Sequence, residues 1–394
     1  MAAQITVIGA GIAGLATAVA LRSAGHDVAV VEQRSDTTTG AGISIWPNAL
    51  AALDEIGLGD VVRRSGARVT GGAIRWRSGR WLRHLSDQRI VEALGEPLVV
   101  VRRSALTDIL RSALPADTVQ TGLTASRLTI TGSSARVTLA DSQSREADAV
   151  VGADGVNSMV ARTLNGPLPH RYVGYTAWRG VAAYPLDPAL AGTTMGHGTE
   201  VGHVPLGPDH TYWFATERAP EGSSAPGGDR AYLRRKLASW AAPIPELIDS
   251  TDPADLLRND IFDRVQPKHW SRGTAVLVGD AAHPMRPHLG QGGCQGLEDA
   301  AILARFIELA PDLPTAVAAY GSFRRRRVRR VVRESATIGR IVNMRPPFLG
   351  GTANRATALI PERAVTSHLS SIAGRSAFIL PTATDAADAA DAAG

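Results

Sequence analysis

The spacing of apolar positions changes along this chain, and the changes outline its elements. Ile5 to Ile8 and Val28 to Val31 are short continuous apolar runs, and the apolar stretch between them is long enough for a helix. This predicts a strand–helix–strand unit with parallel, fully buried strands, reaching to about residue 35. Pro47 and Asn48 open a short helix, and VTGGAIRWRSGRWLRHL alternates about Ser78 and Gly79 as a hairpin would. In VRRSALTDILRSAL, Leu106, Ile109, Leu110 and Leu114 share one helical face. Short strands are predicted over Val119 to Leu123, Ala125 to Ile130 and Ala135 to Leu139, and a buried one over Ala149 to Gly152. From about Tyr172 to Arg272, aromatic residues alternate with small and polar ones in YTAWRGVAAY, TEVGHVPL and HTYWFATERA, a pattern of antiparallel sheet. Two helices follow the apolar run at Thr274, and the tail TATDAADAADAAG is of low complexity and reads as disordered.

The turns carry the chemistry. Gly9, Ala10, Gly11, Ile12, Ala13 and Gly14 spell G-x-G-x-x-G between the first strand and its helix. The first glycine makes a tight turn, the second admits a pyrophosphate, and the third lets the helix pack on the strand. The next strand ends at Glu32, placed to accept hydrogen bonds from a ribose, with Gln33 and Arg34 beside it. A second strand–turn–helix pattern, GTAVLVGDAAHPMRPHLGQGGCQGLEDA, runs from Gly273 to Ala300. Two such turns far apart in one chain suggest a dinucleotide held from both sides, without choosing between FAD and NAD.

Composition narrows the class. With 394 residues, 44% hydrophobic and 20% charged, the chain is long enough for two or three domains of ordinary α/β character. The single cysteine, Cys294, excludes an internal disulfide and a redox-active cysteine pair. The apolar stretch from Ile5 to Leu21 lacks a basic leader and continues into the glycine motif, so a cytoplasmic protein without a membrane span is expected. The net charge of +5 and the run FRRRRVRRVVR raise nucleic acid as a partner. Phe323, Val328, Val331 and Val332 recur at helical spacing, so the run reads as a surface helix with most arginines solvated, and no nucleic acid is expected.

Between the two glycine patterns, Gly152, Ala153, Asp154, Gly155 and Ser158 form a D-G motif, and Gly279, Asp280, Ala281, Ala282, His283 and Pro284 form a G-D motif. With these in place the chain resembles the single-component FAD-dependent aromatic hydroxylases of the para-hydroxybenzoate hydroxylase fold. The likeness is greatest to the branch of salicylate, hydroxynicotinate and urate hydroxylases and carotenoid epoxidases, over roughly residues 4 to 345. It implies an α/β fold: a Rossmann-type FAD-binding domain with an inserted antiparallel β-sheet substrate domain and C-terminal helices. The expected division is FAD-binding pieces at 1–70, 96–171 and 273–345, a substrate-domain hairpin at 71–95 and the substrate domain at 172–272. A helical segment at 346–381 and a disordered tail at 382–394 complete it.

The resemblance also implies a cofactor site. Asp154 would serve FAD and the incoming nicotinamide, and Asp280 the ribityl chain. Arg103 would contact the FAD phosphates, and Gly42 and Ile43 would pass under the cofactor. Pro287, Gly290, Gly292 and Gly293 would bring a helix N-terminus to the flavin, where backbone amides favour negative charge. Two departures stand out. Ala161 occupies the place of a family arginine, with Arg162 one position later. Urate-type relatives place an acid where this chain has His288, and a basic residue near Glu200, which argues against urate as substrate. Cys294 reads as a packing residue. No metal is expected.

The implied reaction draws electrons from NADH or NADPH docking transiently and uses O2 through a flavin hydroperoxide to hydroxylate or epoxidise an electron-rich ring. Such chemistry needs orientation, exclusion of water and at times a base. Candidates on the predicted sheet are Arg179, Glu200, His203, His210 and Tyr212, with His288 from the loop after the G-D motif. Trp46, Trp178, Trp213 and Leu289 suggest an aromatic-lined pocket for a larger aromatic or N-heterocycle such as an indole or polyketide. An oxidase or reductase of the same fold, and a flavin-binding redox sensor, remain open. The expected assembly is a monomer or homodimer.

Overall fold

In the computed structural model, which describes residues 2–35, 41–344 and 359–391, the strand Gln4–Ile8 lies inside a six-stranded sheet. Its parallel neighbours are Asp27–Glu32 and Ala149–Gly152, with Val7 opposite both Val30 and Val151. Val119–Thr121 and Ala275–Leu277 extend the sheet in parallel, and Ser271–Arg272 closes one edge antiparallel. Val7, Val30, Val150 and Val276 are all fully buried, as expected of parallel strands covered on both faces. The helices Ile12–Ser23, Gly292–Leu309 and Leu313–Val342 contribute to the same core. Each such side chain stabilises the fold by roughly 1.5–3 kcal/mol, so this sheet is a firm platform for the loops at its strand ends.

The second large sheet has seven strands in the order Leu257–Arg264, His170–Ala182, Thr211–Glu217, Thr199–Pro205, Gly192–Met195, Gly72–Trp76 and Trp81–Leu85. The early hairpin joins it through a parallel pairing with Gly192–Met195. Gly192 is required there: a Cβ would stand 2.0 Å from the Ala73 carbonyl oxygen. Alternation gives the sheet two unlike faces. Trp178, Val201 and Trp213 pack under the helices Asp229–Leu237 and Ile244–Asp249. Val181, Val204 and Tyr212 turn the other way, toward a small sheet of Gly42–Ile45, Leu98–Arg102 and Ala67–Val69. That small sheet joins the two halves of the molecule.

The C-terminus corrects one expectation. Ala383–Asp391, expected as disordered tail, is a helix packed against the long Leu313–Val342 helix. Its first turn is closed by Thr382 and Asp385: the Asp385 carboxylate accepts from the Thr382 N–H (2.8 Å), and Ala386 enters the core. Of the segment expected to be helical at 346–381, residues 346–358 lie outside the described residues, and Glu362–Ala373 is helix. Among the described residues no helix is long and apolar enough to cross a membrane.

Candidate cofactor and substrate site

The three glycines of the first turn do three different things. Gly9 has φ +106°, and a Cβ on it would meet the Ala153 carbonyl oxygen at 2.4 Å. A Cβ on Gly14 would stand 1.9 Å from the Gly9 carbonyl oxygen, so helix and turn touch there. Gly11 faces open space, with nothing within 4 Å of its would-be Cβ. Tight turn, open cradle and close packing are the three demands a pyrophosphate makes of this motif. Glu32 is buried at the end of its strand; Oε2 accepts from the Ala10 N–H (2.7 Å) and Oε1 from the Arg34 N–H (2.8 Å). These bonds hold a carboxylate beside the turn, where a ribose would meet it. Ile12 is buried and opens the helix, while Gln33 and Arg34 are exposed at the strand end.

The two distant glycine patterns meet at Ala13. A Cβ on Gly279 (φ +58°) would lie 2.7 Å from the Ala13 Cβ, and one on Gly296 would lie 2.9 Å from it. Asp280 is exposed in the turn just beyond, and its Oδ1 lies 3.9 Å from where a Gly292 Cβ would be. The helix Gly292–Leu309 starts here, so its free N–H groups and an open carboxylate border one space. Gly290 (φ +62°) turns the chain against the Trp46 indole, and Ile43 packs where a Gly293 side chain would be. Pro287 opens the short 3-10 turn before it. The Tyr212 ring lies on Gly42, whose Cβ would come within 2.6 Å of it. Arg103 projects at the surface, and its charge acts on the Tyr212 hydroxyl. The residues present thus fit a dinucleotide: an open glycine cradle, a strand-end carboxylate, and a helix N-terminus across from them.

Asp154 lies at the end of its strand, against the following helix. Its carboxylate accepts from the Ser158 hydroxyl and from the N–H groups of Met159 (2.7 Å) and Val160 (3.2 Å). These bonds tie it to the start of the helix Met159–Asn165; desolvation by burial raises its pKa despite them. Ala161 is fully buried, so an arginine there would enter the core, and Arg162 instead donates to the Asn157 carbonyl (2.6 Å).

The sheet candidates divide by parity. His203 pairs with Trp213 and Val204 with Tyr212, so His203 and Tyr212 occupy opposite faces. His203 is withdrawn as a base: it is 1% exposed, its Nε2 lies 3.2 Å from Thr194 Oγ1, and Nδ1 has no partner. Burial first, and then the charge of Arg75, depress its pKa to about 3, so the ring stays uncharged at ordinary pH. Trp178 and Trp213, expected to line a pocket, are in the core on that same face. His210 sits in the turn between two strands. Arg179 and Tyr212 lie on the site face; the charge of Arg179 acts on the Tyr212 hydroxyl, and Arg179 donates to Asn259 Oδ1 (3.1 Å).

His288 is drawn into the wall. Its side chain is buried, with Nδ1 2.7 Å from Glu200 Oε1 and Nε2 2.8 Å from the Tyr175 hydroxyl. The two positions that depart from urate-type relatives therefore form one hydrogen-bonded pair. Tyr175 was missed in the sequence, although it shares parity with Arg179 on its strand.

A buried ionic cluster backs the G-D motif. Asp299 accepts from the Gly279 N–H (2.8 Å), pairs with His283 (2.6 Å) and accepts from Arg324 Nε (2.8 Å). Glu298 pairs with Arg324 (2.6 Å) and Arg327 (2.7 Å) and accepts from Asn48 (2.7 Å). Arg324 is 1% exposed, the exception in a run whose Arg326, Arg329, Arg330 and Arg333 are exposed, as expected of most of its arginines. Tyr320, Arg324, Val328, Val331 and Ser335 form the buried stripe, a spacing visible in the sequence once Arg324 is allowed inside. Cys294 is fully buried and its thiol is pushed up to about 12, first by desolvation, in accord with packing. Among the described residues no cluster suited to a metal ion occurs.

Comparison with known proteins agrees with this geometry. The profile of the FAD binding domain family matches residues 2–335. The aurachin C monooxygenase/isomerase of Stigmatella aurantiaca is 38% identical over 341 residues, covering 86% of this chain and 89% of that protein. An FAD-dependent urate hydroxylase of Mycolicibacterium vanbaalenii is 33% identical over 335 residues, covering 82% and 85%. The crystal structure of Klebsiella pneumoniae HpxO complexed with FAD and uric acid superposes with a TM-score of 0.87 at 30% identity, covering 94% of this chain and 96% of that one.

Proposed function

The chain belongs to the FAD binding domain family, and from that premise we propose that it is an NADH- or NADPH-consuming monooxygenase. It inserts one oxygen atom from O2 into an electron-rich aromatic or N-heterocyclic ring. The observation that carries this reading is a polar sheet face set directly across from the cofactor cradle, with Tyr212 lying on Gly42. The 38% identity to a monooxygenase supports it over a redox sensor or an oxidase. Bound FAD would supply the electron transfer and oxygen activation.

The protein's own residues hold and screen. Gly9, Gly11 and Gly14 seat the pyrophosphate, Glu32 takes the ribose, and Asp280 with the Gly292–Gly293 helix start borders the flavin. Arg103 neutralises phosphate charge. Tyr212, with the charge of Arg179 acting on its hydroxyl, and the half-buried Trp46 and Leu289 border the ring to be oxidised and keep water from it. Nicotinamide docks transiently, as no second G-x-G-x-x-G motif accompanies the first and the later glycine pattern serves the same cofactor. A cytoplasmic setting fits this reductant.

The test is NAD(P)H oxidation by the FAD-loaded protein across phenols, indoles, quinolones and purines, with hydrogen peroxide quantified alongside. A compound that accelerates oxidation while peroxide stays low is the expected result. Peroxide equal to cofactor consumed throughout would favour an oxidase, and no consumption a sensor. Asp280→Ala should lower FAD occupancy while the protein remains folded, read as the flavin-to-protein absorbance ratio.

A further inference from the structure

The hydrogen bonds around Glu200 converge on one of its oxygens. Nearby, Asp263 accepts from Arg286 Nη2 (2.6 Å), and the charge of Arg286 acts on the Tyr175 hydroxyl. A carboxylate only accepts, so His288 Nδ1 carries the hydrogen shared with Glu200 Oε1, and Nε2 lies 2.8 Å from the Tyr175 hydroxyl. Burial above all holds that hydroxyl protonated, well above the ordinary phenol range. Thr216 adds a second donor to Glu200 Oε1 at 3.2 Å. His288 and Thr216 therefore both donate to Oε1, which satisfies one of the two carboxylate oxygens of Glu200. Glu200 Oε2 accepts from none of the described residues, and it is not enclosed among the buried unpartnered atoms.

The position matters as much as the direction. Glu200 is 5% exposed, on the same sheet face as Tyr212, and is tied to the turn that leads into Gly290–Gly293. A half-satisfied carboxylate at such a wall invites a hydrogen-bond donor and repels an anion.

We infer that Glu200 is the specificity-determining residue of this site, selecting neutral rings that present an N–H or O–H donor and rejecting rings that present a carboxylate. His288 and Tyr175 are positioning residues that hold the Glu200 side chain with Oε2 outward. The inference rests on the monooxygenase reading for the location of the substrate, and it names the class of ring.

Binding of three rings to the FAD-loaded protein, read from the perturbation of the flavin spectrum, tests it: 4-quinolone, its N-methyl derivative and quinoline-4-carboxylate. The wild type should bind 4-quinolone roughly 10- to 100-fold more tightly than either of the others, the worth of one hydrogen bond to a charged group. Glu200→Gln should collapse the preference over the carboxylate, and Tyr175→Phe should reduce it about threefold without changing FAD retention or Tm. A merely structural Tyr175 would move FAD retention and Tm and leave the preference alone. The inference is overturned if the wild type prefers the carboxylate, binds the N-methyl ring as well as the parent, or binds none of them. An unchanged preference in Glu200→Gln also overturns it. NAD(P)H oxidation with the same rings reports separately: selective binding without turnover would sink the monooxygenase reading and leave this one standing.

Discussion

Glu200 and His203 stand three residues apart on one strand, both buried and both titratable, and they face opposite sides of the sheet. Glu200 is met by Thr216 and His288 and linked through His288 to Tyr175. His203 has one long contact to Thr194, an unpartnered Nδ1 and a buried arginine nearby. One face carries a polar network that ends in an open oxygen, whereas the other is a core that tolerates an uncharged imidazole. Titratable chemistry on a strand is assigned by face, and three residues along a strand is enough to change faces.

The largest way to break this comparison is on the core face. Trp213→Ala removes a fully buried indole and its hydrogen bond to Thr251 (2.8 Å), and should cost about 3–5 kcal/mol of stability in urea unfolding. FAD affinity per folded molecule should not change.

His203 gives the next effect, through pH. Its folded pKa of about 3 lies below its ordinary 6.5, so the unfolded chain takes up the proton first. The stability it contributes is complete above about pH 6.5 and is lost as pH falls toward 3. Between pH 6.5 and 5 the loss should reach about 2 kcal/mol. His203→Leu should flatten that part of the urea midpoint against pH profile while preserving substrate-stimulated NAD(P)H oxidation. Loss of turnover in a folded His203→Leu protein would return the histidine to the active site.

Tyr212→Phe, on the other face, removes only a hydroxyl and should change stability by under about 1 kcal/mol. Its effect should appear in kcat/KM, a drop of roughly tenfold for an orienting hydroxyl, with FAD occupancy unchanged.

Much of the cofactor half was legible because its glycines answer to backbone geometry, which the sequence states directly. Gly9, Gly11 and Gly14 could be assigned separate tasks from spacing alone, and the structure has a positive φ at Gly9, open space at Gly11 and close packing at Gly14. The parallel strands were legible as unbroken apolar runs. The substrate wall was legible only to parity. Alternation in TEVGHVPL says that Glu200 and His203 differ in face, but which face meets the cofactor is decided by helices 30 to 50 residues later in the chain. Along His170–Ala182 the register with the neighbouring strand shifts between Tyr172 and Thr176, which further obscured Tyr175. Arg324 was misjudged because an arginine in a basic run reads as solvated, while two acids from another helix, Glu298 and Asp299, hold it inside. The bonds from Asp154 to the N–H groups of Met159 and Val160 were likewise not legible from the D-G motif alone.

The most direct test of the central claim is the fate of 18O2 in a turnover with NAD(P)H and the ring that stimulates it best. One 18O atom per molecule of product, with little labelled peroxide, is the result predicted for a monooxygenase. Unlabelled product, with all the 18O recovered as hydrogen peroxide, would contradict the account.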